Sequence, residues 1–154
     1  MLIERDNSCL LLVDVQERLL PAMHDAATTL QNVVWLTRIA QRLGVPVVAS
    51  EQYPKGLGHT HAELRALLAP ETVAEKLHFS GVAARCLEHL PGSERRQVVV
   101  CGIESHVCVL QTALELRVLG REVFVVADCV SSRRPADKEL ALARLRANGV
   151  EIVS

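Results

Sequence analysis

Aromatic residues are scarce in this chain of 154: one Trp, one Tyr and two Phe, 3% of the whole. So few rings leave little with which to stack nucleobases. An excess of one charge is lacking too. The formal net charge is −1 and no basic run occurs, which argues against nucleic acid or an anionic membrane surface as the main partner. No apolar run reaches the length of a membrane span. The N-terminal MLIERDNSC is charged and leads straight into an expected strand, unlike a signal peptide. The five cysteines never take the C-x-x-C spacing of a metal site. Cys9 and Cys101 fall in expected strands and Cys86 in an expected helix, which points to reduced thiols and a cytoplasmic location. Internal repeats, low-complexity tracts and interdomain linkers are absent, so residues 1–154 read as one domain.

What the chain does have is aliphatic. Hydrophobic residues make up 49%, mostly Val, Leu, Ala and Ile, and they fall in short runs separated by amphipathic stretches. Ser8–Val15, Val45–Ser50, Thr72–Leu77, Gln97–Cys101, Glu122–Ala127 and Val150–Val153 read as strands. Thr28–Leu43, His61–Leu68, Val82–Leu90, a segment from His106 to Leu119, and Ala136–Ala147 read as helices. Strands alternating with helices predict an α/β fold: a three-layer, six-stranded, mainly parallel sheet with helices on both faces, Rossmann-like in plan. The first strand is followed by DVQERLL and not by a glycine-rich turn, so dinucleotide binding is not expected. The Thr28–Leu43 helix is apolar around much of its girth, Trp35 included. That is more than one sheet contact buries, and it predicts a homo-oligomer.

In such a sheet ligands bind beyond the carboxyl ends of the strands. Asp14, the loop from Glu51, Lys76, Cys108 and the loop from Asp128 all lie at or just past strand ends and are expected on one rim. Ser105 is placed to cap the helix after the fourth strand, which puts Cys108 in the first helical turn, where unpaired N–H groups and the helix dipole lower a thiol pKa. Read singly, Cys108 is also an ordinary small buried residue, Asp14 a cap and Lys76 a surface charge. His106 is not favoured as a base for Cys108, because positions i and i+2 of a helix do not face each other.

With these three on one rim, the chain resembles the isochorismatase-like cysteine hydrolases, which include nicotinamidases and N-carbamoylsarcosine amidohydrolase. The likeness runs through LLLVDVQ, EKLHFSG, VVVCGIESHVCVLQTALEL and VVADCVSSR, and covers nearly the whole chain. In wording it is nearest to small isochorismatase-domain proteins of undefined substrate. The resemblance implies a catalytic triad of Asp14 as general base, Lys76 as orienting cation and Cys108 as nucleophile. It also implies a cis peptide between Ile103 and Glu104, and an oxyanion hole from the N–H groups of Glu104 and Cys108. Gln16, Gln52, Tyr53 and Phe79 are expected to wall the pocket. Metal-dependent nicotinamidases carry Asp-x-His after the second strand. Here that place reads Glu51-Gln52-Tyr53, so no metal and no cofactor are expected, and His59 and His61 are left as loop histidines.

The expected function is a metal-independent cysteine hydrolase that cleaves a small amide or carbamoyl-type substrate through a Cys thioester, with no nucleic acid or membrane partner. The alternatives are a catalytically silent binding or scaffold protein on the same fold, or a thiol redox sensor pairing Cys108 with Cys101 or Cys129.

Overall fold

The computed structural model describes residues 1–154. Its strands are β1 (Ser8–Val13), β2 (Val47–Gln52), β3 (Val73–Lys76), β4 (Gln97–Ile103), β5 (Glu122–Ser131) and β6 (Glu151–Val153). Its helices are α1 (Ala26–Arg42), the single turns α2 (Pro54–Leu57) and α3 (Ala62–Arg65), α4 (Leu110–Val118) and α5 (Pro135–Ala147). All strand pairs are parallel, in the order β3-β2-β1-β4-β5-β6. No helix is long and apolar enough to cross a membrane.

The continuous apolar runs of β1 and β4 follow from burial on both faces. Alternate side chains supply two separate cores. Leu10, Leu12, Val99, Cys101 and Ile103 pack with Val33, Val34 and Ala40 of α1. Cys9, Leu11, Val13, Val98 and Val100 pack with Leu110, Ala113 and Leu116 of α4 and Leu145 of α5. The chain winds outward from β1 in one direction and from β4 in the other, so strand order reverses between these two neighbours. The last residue of β1 sits there, with Val13 opposite Ser50 of β2 on one side and Gly102 of β4 on the other.

Two expectations fail. Residues 82–90 form a chain of turns and not a helix. The apolar spacing suits a helix, and Ser80 even accepts the Val82 and Ala83 N–H groups as a cap would, but Arg85 takes a left-handed conformation (φ 55°) that stops a helix from propagating. The expected loop from Asp128 is in fact the end of a longer β5. The ladder to β4 breaks after Val100–Val125 and resumes at Gly102–Val130, and the intervening bulge carries Asp128 and Cys129. A charged residue inside the bulge disguised the strand.

Candidate active site

Asp14 leaves β1 in a left-handed conformation (φ 53°), and its N–H bonds the Ser50 carbonyl at 3.1 Å. Its carboxylate meets side chains from the ends of β2 and β3. One carboxylate oxygen accepts the Ser50 hydroxyl at 2.7 Å and the other accepts Lys76 Nζ at 2.7 Å. The side chains of this ion pair are both 0% exposed. Lys76 closes β3 opposite Gln52 of β2, and its ammonium spends its two other donors on Gln52 Oε1 and the Phe79 carbonyl, each at 2.9 Å. All three ammonium protons are matched, which is the condition for burying a lysine.

Cys108 arrives from β4. Gly102 takes φ 121°, and a Cβ there would collide with the Val13 backbone, so only glycine lets β4 run this close to the point where Asp14 departs. The Ile103–Glu104 peptide is cis. The backbone then makes one wide turn over Ser105–Val109 before α4, with the Val107 and Val109 N–H groups both reaching the Glu104 carbonyl. Such widened turns recur at functional sites. Ser105 is not the cap. It lies inside the wide turn, and its buried hydroxyl has no partner.

Asp14, Lys76 and Cys108 are thus brought together. Cys108 is buried within electrostatic reach of the Asp14 carboxylate, whose direct partners are Ser50 and Lys76. The electrostatics reverse one expectation, because the thiol is not acidified. Burial, then the negative charge of Asp14, push Cys108 up to about 12, and Lys76 only partly offsets them. Burial also raises the Asp14 carboxyl, against the pull of Lys76 and Ser50. A neutral thiol beside a strengthened carboxylate base suits attack coupled to proton transfer, not a preformed thiolate.

The expected pocket walls divide. Gln16 is wholly buried, and its amide holds the Gln52 N–H and the carbonyls of Gln52 and Gly58. Gln52 braces Lys76 and the Leu77 carbonyl. Both therefore serve as scaffolding for the loop. Tyr53 (50% exposed) and Phe79 (52% exposed) stand at the rim. Beside Lys76 a recess of about 500 Å³ is lined by Tyr53, Pro54, Glu75, Leu77 and His78 among others. A separate cavity of about 200 Å³, lined by Cys9, Val98 and Leu116, reaches none of the three central residues.

No three His, Cys, Asp or Glu side chains converge in a way that would hold a metal ion. Glu51 is committed elsewhere, to the Thr60 N–H and hydroxyl at 2.6 and 2.8 Å and to His59 Nδ1 at 3.0 Å. Burial pushes its carboxyl up, but these partners outweigh burial and leave it below the usual range. His61 caps α3 through Glu63 N–H. The residues present do not fit the metal centre of the nicotinamidases. Sequence reasoning also passed over Ser50, whose only signal was its place at the end of the second strand.

The model of the Isochorismatase domain matches residues 8–154. Isochorismatase domain-containing protein 2 of Danio rerio is 41% identical over 146 residues, which is 94% of this chain and 73% of that protein. Isochorismatase domain-containing protein 1 of Salmo salar is 42% identical over 144 residues, where this chain spans 50% of that protein's length. Among solved structures, the MAR1 ribonuclease of Caenorhabditis elegans superposes with TM-score 0.87 at 34% identity, covering 99% of this chain and 79% of that one. The YcaC product of Escherichia coli, described as an octameric hydrolase of unknown specificity, shares the fold with TM-score 0.92 at 21% identity, covering 99% and 77%.

Proposed function

The chain belongs to the isochorismatase family of hydrolases, and we propose that within it this protein is a metal-independent cysteine hydrolase of a small amide or carbamoyl compound. The observation that carries this reading is the buried Asp14–Lys76 ion pair with the buried Cys108 thiol within reach of its charges. Asp14 takes the thiol proton as sulfur attacks the carbonyl carbon. The N–H groups of Glu104 and Cys108 receive the oxyanion, and Asp14 returns the proton to the departing amine. The same carboxylate then deprotonates the water that hydrolyses the thioester. Lys76 holds Asp14 in place and balances its charge.

The test is a panel of small amides and carbamoyl compounds, with the acyl adduct on Cys108 followed by mass spectrometry. Cys108→Ala is expected to lower turnover by about 10³-fold or more. Turnover by that variant at the wild-type rate would sink the assignment.

The name of the Caenorhabditis elegans relative brings in RNA cleavage as a second reading. A net charge of −1 and 3% aromatic content weigh against it, and labelled RNA in the same panel decides between the two. A silent scaffold is disfavoured because a binding protein has no need of a buried, fully bonded lysine beside a thiol. Redox pairing of Cys108 with Cys101 or Cys129 is disfavoured because these belong to the core on the opposite face of the sheet.

The protein is further proposed to be a homo-oligomer working among reduced thiols. Its five cysteines are free, and Trp35 stands 64% exposed on α1. Light scattering is expected to give a multiple of 16.9 kDa, and Trp35→Glu to reduce it. A monomeric wild type would refute the oligomer.

A further inference from the structure

The end of β5 and the residues after it, Ser131-Ser132-Arg133, are not used by the mechanism above, yet they are tied to the turn that carries Cys108. Ser131 and Ser132 are buried. The Ser131 hydroxyl donates to the His24 carbonyl at 2.6 Å, and the His24 N–H donates to the Ser132 carbonyl at 2.9 Å. Arg133 is thereby delivered to Glu104. Its guanidinium Nε lies 3.2 Å from one Glu104 oxygen, and its backbone N–H donates to the other at 3.2 Å. His106 completes the group, with Nδ1 2.9 Å from the Ser132 hydroxyl and 3.9 Å from Glu104.

The Glu104 side chain is only 12% exposed, so water screens it poorly, and Glu104 heads the turn, its carbonyl holding the Val107 and Val109 N–H groups on either side of Cys108, whose thiol its charge helps to push up. The charges that act on that thiol are Asp14 at the end of β1, Lys76 at the end of β3 and Glu104 at the head of the turn. A bare carboxylate there opposes every step that places negative charge on sulfur or on the carbonyl oxygen. We infer that Arg133 is a positioning residue for Cys108, clamping the Glu104 carboxylate and offsetting part of its charge so that the turn can carry a developing anion. The inference rests on Cys108 being the nucleophile, but its test needs no substrate.

Alkylation of Cys108 by iodoacetamide is followed by peptide mass spectrometry from pH 7 to pH 10. Sulfur displaces iodide, and the thiol proton passes to the buffer. Arg133→Gln is expected to slow labelling roughly three- to tenfold at a given pH, displacing the profile to higher pH by about half to one unit. Glu104→Gln is expected to speed labelling by a similar factor, Arg133→Lys to recover part of the wild-type rate, and Glu104→Gln with Arg133→Gln to label at least as fast as wild type. A purely structural clamp would leave the double variant as slow as Arg133→Gln. That result, or wild-type labelling by Arg133→Gln alone, overturns the inference. Failure of the amide panel would leave this series unchanged, so the two failures are distinguishable.

Discussion

Lys76→Met is expected to destabilise the protein by about 3–5 kcal/mol at neutral pH, the usual cost of stranding one partner of a buried ion pair. The reason is local: Asp14 would keep one hydroxyl donor, Ser50, and lose the ammonium that matches its charge in a site with no exposure. Two consequences follow. Adding Asp14→Asn should recover most of the loss, because the second change removes the stranded charge. The single variant should also be less stable at pH 8 than at pH 5. Without Lys76 the folded pKa of Asp14 rises further above its unfolded value. Stability from the protonated carboxyl is then fully present below the unfolded pKa and lost as pH rises through the folded one. Urea midpoints of wild type, Lys76→Met and the double variant at both pH values measure this. Equal midpoints for wild type and Lys76→Met at pH 8 would show that the pair does not hold the site together.

Alkaline conditions should unfold this protein unusually steeply. Burial pushes Cys9 up to about 11 and Cys108 and Cys129 up to about 12, and it raises Cys101 well beyond the ordinary thiol value. For Cys108 and Cys129, the neighbouring charges of Asp14 and Asp128 add to burial. Above about pH 9 an unfolded chain releases these protons while the folded chain retains them. The unfolded state then binds fewer protons, and stability falls as pH rises. Each thiol contributes about 1.4 kcal/mol per pH unit across its window, so four acting together approach ~5.5 kcal/mol per unit, comparable with the whole stability of a small domain. The expected result is loss of fold between about pH 10 and pH 11, with Cys129→Ala removing roughly a quarter of the slope. Unfolding free energies that stay level from pH 8 to pH 10.5 would mean that the thiols are not shielded as the packing implies.

Much of this architecture is legible in the sequence, and particular residues show why. Strand and helix periods reflect burial, and burial on two faces of β1 and β4 writes itself directly into SCLLLV and QVVVC. The order of elements placed Asp14, Lys76 and Cys108 at strand ends, and a parallel sheet has a single rim for such ends to share. Periodicity failed where the backbone turned left-handed, as at Arg85, or where a bulge interrupted alternation, as at Asp128 and Cys129.

Gln16 and Gln52 show the other limit, since a buried amide can line a pocket or hold a loop and only its bonded partners tell which. Order along the chain determined which side chains meet at the switch between β1 and β4. Tertiary structure alone decided what state they meet in: Lys76 saturated by three acceptors, Glu51 spent on Thr60 and His59, and Cys108 held as a thiol and not acidified. The physical reason is that apolar pattern depends on which face of an element is covered, whereas the charge on a sulfur depends on every dipole and carboxylate within reach and on how completely water is removed.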